Sequence, residues 1–170
     1  MKRKIFAVLA IGTIAIASCK KDEPATPADP GTASVSGTLW ANKNLDNDTD
    51  AFGFPSAPVY DATEVAKTGT IVTASIDSKD LDQSPDPAFT YQILNYTTAI
   101  TAGGVYSFTS LPCYNWPIDV ELRFNDFSDS QLAGGTVDNT VTYSTMGTVW
   151  TISIYAGAVV INPDYAYSYY

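Results

Sequence analysis

Three aspartates alternate in one polar stretch of the chain. Asp46, Asp48 and Asp50 offer carboxylates at every second position, the way hard oxygen ligands are offered to calcium. An EF-hand loop counted from Asp46 requires glycine at its sixth position and glutamate at its twelfth, where this chain has Ala51 and Ala57. The stretch is therefore not an EF-hand. Two interpretations stay open, a calcium site of another geometry and a solvated loop.

A second acidic group surrounds a lysine in a proline-containing stretch. It consists of Asp77, Asp80, Asp82 and Asp86, with Lys79 among them. Two carboxyl groups set roughly 5 to 9 Å apart around a cleft serve glycosidases as acid and base. Spacing in sequence does not fix that distance, and a loop of this composition is more often only solvated.

Histidine is absent from the 170 residues, and cysteine occurs twice. This excludes an imidazole base, Ser-His-Asp and Cys-His arrangements, and a thiolate cluster for zinc. Cys113 has no basic residue near it in the sequence, so we expect a small, buried and inert thiol. We expect a protein that is not an enzyme and carries no organic cofactor, with calcium as the one metal considered.

Alternating tyrosines lie at the end of the sequence. Tyr165, Tyr167 and Tyr169 recur at period two, which places them on one face of a strand. Exposed in a row, these rings would form a ligand-binding platform for a glycan or a protein partner. Packed on the domain, they would form the inner face of a final strand. The sequence alone leaves both interpretations open.

The N-terminus has the features of a secretory signal peptide. Basic residues 2–4 precede an apolar run from Ile5 to Ala17, which is shorter than the roughly 20 residues that span a bilayer. The run ends in Ile16-Ala17-Ser18-Cys19, which resembles the lipobox of bacterial lipoproteins. That resemblance implies cleavage before Cys19 and its acylation, so that palmitate-type chains anchor the protein in a membrane. The alternative is an ordinary signal followed by a chance cysteine.

The residues after Cys19 bear on the cellular location of the protein. Lys21, Asp22 and Glu23 look like the surface-export signal of lipoproteins from one Gram-negative phylum; the alternative is the start of a solvated linker. Residues 22–31 contain no large apolar side chain, which predicts a disordered, flexible tether. We expect a signal peptide over 1–18, a lipidated linker over 19–33 and one domain over 34–170. The expected location is the outer membrane, facing outside or, alternatively, the periplasm.

The chain is acidic, with a formal net charge of −9. Removal of residues 1–18 makes it more acidic still, because residues 2–4 are basic. Such a surface repels phosphate groups, so nucleic acids and nucleotides are not expected partners.

Alternation of apolar and polar residues dominates the sequence after the tether. The clearest case runs from Ile118 to Phe124, and similar segments cover 72–76 and 150–154. Weaker segments lie at 35–39, 89–93, 106–108, 141–143 and 159–161. About seven or eight short strands separated by Gly and Pro turns predict an all-β fold. The expected architecture is a single antiparallel β-sandwich, transthyretin-like or immunoglobulin-like.

Two motifs resemble those of carboxypeptidase regulatory-like, transthyretin-like domains, which open with V-x-G and carry T-x-x-G-x-Y-x-F-x-x-L-P. The matching residues are Val35-Ser36-Gly37-Thr38-Leu39 and Thr101-Ala102-Gly103-Gly104-Val105-Tyr106-Ser107-Phe108-Thr109-Ser110-Leu111-Pro112. The resemblance covers residues 34–124 and contains no catalytic position. Glycine suits a hairpin turn there, and Tyr106 and Phe108 are expected to point into the core.

Three function classes are compatible with these features. The first, which we favour, is a surface lipoprotein whose sandwich is a non-catalytic binding or accessory module for a glycan or protein. The second is a structural subunit or spacer of a cell-surface assembly. The third is a small secreted hydrolase that uses carboxylates.

Overall fold

A computed structural model describes residues 31–161 and 165–169, excluding the side chains at 139, 140, 168 and 169. The predicted lipid attachment at Cys19 and the predicted export residues Lys21, Asp22 and Glu23 lie outside the described residues. In the described part of the chain, no helix has the length and apolar character needed to cross a membrane.

Ten strands and two short 3₁₀ helices form the described structure. The strands are β1 Gly31–Ala41, β2 Ile71–Asp77, β3 Ile93–Ala99, β4 Val105–Cys113, β5 Ile118–Phe124, β6 Phe127–Ala133, β7 Thr136–Ser144, β8 Trp150–Ile154, β9 Val159–Ile161 and β10 Tyr165–Tyr169. The 3₁₀ helices are Leu45–Asn47 and Ala102–Gly104. The all-β prediction is confirmed, with more strands than the seven or eight expected.

Two sheets pack against each other through one shared core. The six-stranded sheet has the order β4-β1-β10-β7-β6 with β9 beside β1, and the four-stranded sheet has the order β3-β2-β5-β8. Tyr106 on β4 contacts Phe124 on β5 across the two sheets, with ring centroids 5.6 Å apart. Tyr106 and Phe108 are buried, as expected. Burial also alternates at every residue of β5, so the clearest sequence pattern is confirmed.

The pairing of strands differs from the prediction in two respects. β1 pairs in parallel with β9 and with β10, so the sandwich is not purely antiparallel. The turn at Ala102–Gly104 does not close a hairpin, because it connects β3 of one sheet to β4 of the other. Gly104 has a φ of 73°, and a Cβ there would lie 2.8 Å from the carbonyl oxygen of Leu39. Glycine therefore allows the close passage of the chain between the sheets.

Two local predictions need correction. The predicted strand at 89–93 is wrong, since β3 begins at Ile93 and residues 78–92 form the β2–β3 connection. β6 was not predicted, and it forms a hairpin with β7 through Gly134 and Gly135, whose φ values are 56° and 72°. Positive φ at both central residues is the geometry that favours glycine in two-residue hairpin turns.

The sandwich has two distinct ends. At the Gly31 end, Gly31 pairs with Cys113, three residues before the expected domain start at 34. The β2–β3 connection and the β4–β5 connection, residues 114–117, meet at this end, because the Trp116 indole donates to the carbonyl of Asp80 at 3.2 Å. β1 runs from there to the Ala41 end, where residues 42–66 lie.

Candidate functional site

A groove of about 760 Å³ lies at the Gly31 end, beside the β2–β3 connection. Its volume is typical of small-molecule sites in proteins. It is lined by side chains of both connections and of the start of β3: Ser78, Leu81, Asp82, Gln83, Ser84, Phe89, Thr90, Tyr91, Gln92, Leu94 and Tyr114. The lining combines aromatic rings with hydroxyl and amide groups.

Phe89 and Tyr91 form an aromatic ridge along the groove. Their ring centroids are 4.9 Å apart and their planes meet at 65°. The ridge separates the groove from a second depression of about 600 Å³, whose lining includes Lys79. Phe89 is 63% exposed, so a large apolar ring is presented to solvent.

Hydrogen bonds to Tyr91 fix the ridge. Its hydroxyl donates to Asp82 Oδ2 at 2.7 Å and accepts from the backbone N–H of Asp86 at 2.8 Å. The hydrogen bond to Asp82 raises the pKa of Tyr91, and the same bond lowers the pKa of Asp82. At neutral pH the pair is therefore a protonated donor and an ionised acceptor.

The local sequence explains why the ridge is a loop and not a strand. Pro85 and Pro87 have no N–H for a ladder, and both fix φ. Asp86 between them accepts from the N–H of Ala88 through its side chain at 2.8 Å and from the N–H of Phe89 through its carbonyl at 3.0 Å. Such Asx turns compete with strand pairing and hold a loop in one conformation.

A second aromatic pair supports the part of the groove lining that comes from the β4–β5 connection. Tyr114 stacks on Trp116 with centroids 4.5 Å apart and an interplanar angle of 10°. The carbonyl of Tyr114 accepts from the N–H of Ala156 at 2.7 Å, which ties this part of the lining to the β8–β9 connection. The preceding residue, Cys113, is free and buried, and burial raises the pKa of its thiol, as expected for an inert cysteine.

The acidic group around Lys79 is divided between two places. Asp82 and Asp86 support the ridge, whereas Asp77 and Asp80 line a depression of about 680 Å³ on the outer face of the four-stranded sheet, together with Asp119. Burial, followed by the charges of Asp77 and Asp119, raises the pKa of Asp80.

The three alternating aspartates contact different parts of the chain. Asp46 accepts from the N–H groups of Gly134 and Gly135 at 2.6 and 2.9 Å. Asp48 accepts from the N–H at position 59 at 2.7 Å, and Asp50 from the N–H groups at 52 and 54 at 2.8 and 2.9 Å. Within the described ranges, no three His, Cys, Asp or Glu side chains gather as a metal site would require. The structure does not bring the predicted calcium ligands together.

A buried glutamate was missed by sequence analysis. Glu64 is 0% exposed, and its Oε1 accepts from the N–H groups at 43 and 44 at 3.1 and 2.8 Å. Its Oε2 accepts from the N–H of Asp61 at 3.0 Å and the side chain of Asn47 at 3.1 Å. Glu64 therefore joins residues 43, 44 and 47 to residue 61 within the segment 42–66, and a single glutamate in a polar stretch gives no sequence signal of this role.

Tyr165 and Tyr167 are packed on the domain, so for these two residues the structure shows the packed inner face and not the predicted ligand-binding platform. Tyr167 is 3% exposed, donates its hydroxyl to the carbonyl of Asn125 at 2.8 Å, and has a pKa raised by burial. Tyr165 is half-buried, with its ring 4.6 Å from that of Trp150. The cause is the position of β10 between β1 and β7, inside the six-stranded sheet. The side chain of Tyr169 lies outside the described residues.

A second pair of exposed aromatic residues lies at the Ala41 end. Phe52 and Phe54 are 84% and 67% exposed, in a turn that Asp50 closes through the two hydrogen bonds given above. Neither residue lines the depressions described above. Phe54 is thus as exposed as Phe89 without bordering the groove, which makes it a matched control.

No protein-family model, no curated protein and no solved structure matches this chain. The class of protein therefore rests on the fold and the site, an all-β sandwich with an aromatic and polar groove at one end.

Proposed function

We propose that the chain is a lipid-anchored bacterial surface protein whose β-sandwich is a non-catalytic binding module, with the groove as its ligand site. The observation that carries this proposal is the ridge, where an exposed Phe89 ring is held by Tyr91, Asp82 and Asp86. A rigid exposed ring offers contact area with little conformational entropy left to lose on binding.

The position of the groove agrees with this role. The first strand of the described residues starts at Gly31, and the groove lies at the same end of the sandwich. Residues 19–30 reach at most about 40 Å when fully extended. If Cys19 carries the acyl chains, a ligand in the groove is held close to the membrane surface, and more than one acyl chain makes the anchor stable.

Anchoring is tested by Cys19→Ser in the full chain. We expect the variant to lose both palmitate labelling and retention in the membrane fraction. Labelling or retention that persists unchanged in Cys19→Ser contradicts the lipid anchor.

Surface exposure is tested separately by replacing Lys21, Asp22 and Glu23 with Ala. Protease shaving of intact cells should degrade the wild-type chain and spare the variant, which stays in the membrane fraction. Wild-type protein that resists shaving indicates the periplasmic face instead.

Asp80 favours a second candidate function, a carboxylate-dependent hydrolase. Asp80 shares a depression with Asp77 and Asp119, and burial followed by the charges of these two residues raises its pKa, as a general acid requires. Release of reducing ends from a polysaccharide by the wild-type chain, abolished in Asp80→Asn, would favour the hydrolase. We expect no release. If the chain neither cleaves a polysaccharide nor binds a ligand in its groove, the remaining function is that of a structural subunit or spacer of a cell-surface assembly.

A further inference from the structure

We infer that the groove binds a neutral saccharide chain, with the aromatic ridge as its stacking surface. This inference rests on the proposed binding function and names its ligand class. Three properties of the groove carry it: the exposed ring, the type of polar groups in the lining, and the charge of the lining.

The exposed ring matches the apolar face of a sugar. A pyranose presents C–H bonds on its ring faces, and these pack on an aromatic face. Phe89 is 63% exposed, and its ring meets that of Tyr91 at 65°, so the two rings are not stacked face on face. Tyr114, which stacks on Trp116, adds a further aromatic ring to the lining.

The polar lining matches the hydroxyl groups of a sugar. The polar side chains are mostly hydroxyls and primary amides, among them Ser78, Gln83, Thr90 and Gln92. Each of these groups both donates and accepts hydrogen bonds, as sugar hydroxyls do. Such lining suits a ligand with many neutral hydroxyls.

The charge of the lining argues against anionic ligands. Among the described residues, no Lys or Arg lines the groove, and its carboxylate, Asp82, already accepts from Tyr91 and from the N–H of Ser84. A uronate or sulfate in the groove would lose its hydration without gaining a cation. Lys79 lies in the second depression, on the other side of the ridge.

Two backbone N–H groups of the groove residues are not free for a peptide added as a strand. The N–H of Ser78 donates to the carbonyl of Gln92 at 2.9 Å, and the N–H of Gln92 donates to the Ser78 hydroxyl at 2.8 Å. These groups are therefore occupied within the protein, while a peptide bound by strand addition requires free ones.

The test is affinity electrophoresis of the full chain in mild detergent at neutral pH, where its acidic net charge drives migration. Native gels contain starch, xylan, galactomannan or mixed-linkage glucan as neutral probes, and polygalacturonate or heparin as anionic probes. We expect retardation by at least one neutral probe and by neither anionic probe. Phe89→Ala should weaken that binding at least tenfold, and Phe54→Ala should leave it unchanged. A melting curve equal to wild type shows that Phe89→Ala is folded.

Two results overturn the inference in different ways. Retardation by anionic probes only, or capture on a peptide array, either of them lost in Phe89→Ala, refutes the neutral saccharide but keeps the groove as a binding site. Absence of binding to all these probes, or binding that Phe89→Ala leaves unchanged, refutes the groove itself and with it the proposed binding function.

Discussion

Tyr167 and Phe89 are aromatic residues with opposite environments. Tyr167 lies on β10, between two strands of the six-stranded sheet, and its side chain is buried with its hydroxyl paired. Phe89 lies in a connection between strands, and its ring is exposed beside a groove. Tyr167 is buried because its strand lies inside the sheet, and Phe89 is exposed because of the conformation of its loop.

These two environments show what makes an aromatic residue available to a ligand. On a central strand, the inward side chain at each second position is covered by the other sheet, so alternating tyrosines form core. A ridge needs a loop that cannot pair as a strand and yet stays rigid. Pro85, Pro87 and the hydrogen bonds of Asp82 and Asp86 meet both conditions.

We expect the largest effect on stability from substitution of the buried Tyr167. Tyr167→Ala should lower the free energy of unfolding by about 3–5 kcal/mol, because it removes a buried ring from the core. Tyr167→Phe, the matched control, keeps the ring and loses only the hydrogen bond to Asn125, at about 1 kcal/mol. Urea denaturation of the full chain measures both. A change below about 0.5 kcal/mol in Tyr167→Ala would mean that the ring is exposed.

Glu64 extends the comparison to polar groups. Glu64→Ala should lower the free energy of unfolding by about 2–3 kcal/mol, since the four donors at its carboxylate lose their acceptor. Protease digestion should then begin within residues 42–66, because the carboxylate no longer joins residues 43, 44 and 47 to residue 61. A Glu64→Ala variant with the stability and digestion pattern of the wild type would contradict this role of Glu64.

A smaller effect is expected at the ridge itself. In Tyr91→Phe, Asp82 loses a hydrogen-bond donor, so its pKa should rise towards the ordinary value of 3.8. A carboxylate whose pKa is lower in the folded state than in the unfolded state stabilises the fold at pH values above its unfolded pKa. This contribution is lost as the pH falls through the pKa of the folded state. Carboxyl ¹³C NMR titration of Asp82 measures the pKa shift. Below about pH 4, the free energy of unfolding of Tyr91→Phe should depend less on pH than that of the wild type. An unchanged Asp82 titration would refute the hydrogen bond.

The smallest expected effect is that of calcium. Asp46, Asp48 and Asp50 are each occupied by separate donors, so millimolar calcium should leave the melting temperature equal to that in chelator. Circular dichroism melting is the measurement. A cation present at 100 times its dissociation constant would raise the free energy of unfolding by about 2.7 kcal/mol. An increase in stability of that size would restore the calcium interpretation.

Most of the fold was predictable because alternation is a local signal of a half-buried strand. It predicted β5, β2 and β8, and it predicted the buried Tyr106 and Phe108. The parallel pairing of β1 with β9 and β10 was not predictable, since partners far apart in sequence leave no local pattern. β6 was missed because Phe127–Ala133 is mostly small and polar.

The candidate site was predicted less well, for a physical reason. Phe89 and Tyr91 alternate with Ile93 and so looked like strand residues, although two prolines next to Asp86 were the available signal of a rigid loop. The part of the lining formed by Tyr114 comes from a different connection, and only the folded topology brings it to the groove.

Hydroxyl-radical footprinting of the full chain is the most direct test of the claim that the ridge, and not another aromatic group, receives the ligand. Oxidation of Phe89, Tyr91, Phe54 and Tyr167 is followed by mass spectrometry with and without the neutral polysaccharides named above. We predict that one of these probes protects Phe89 and Tyr91, that Phe54 is oxidised equally in both conditions, and that Tyr167 is protected throughout. Protection of Phe54 with no change at Phe89, or strong oxidation of Tyr167 in the free chain, would contradict the account.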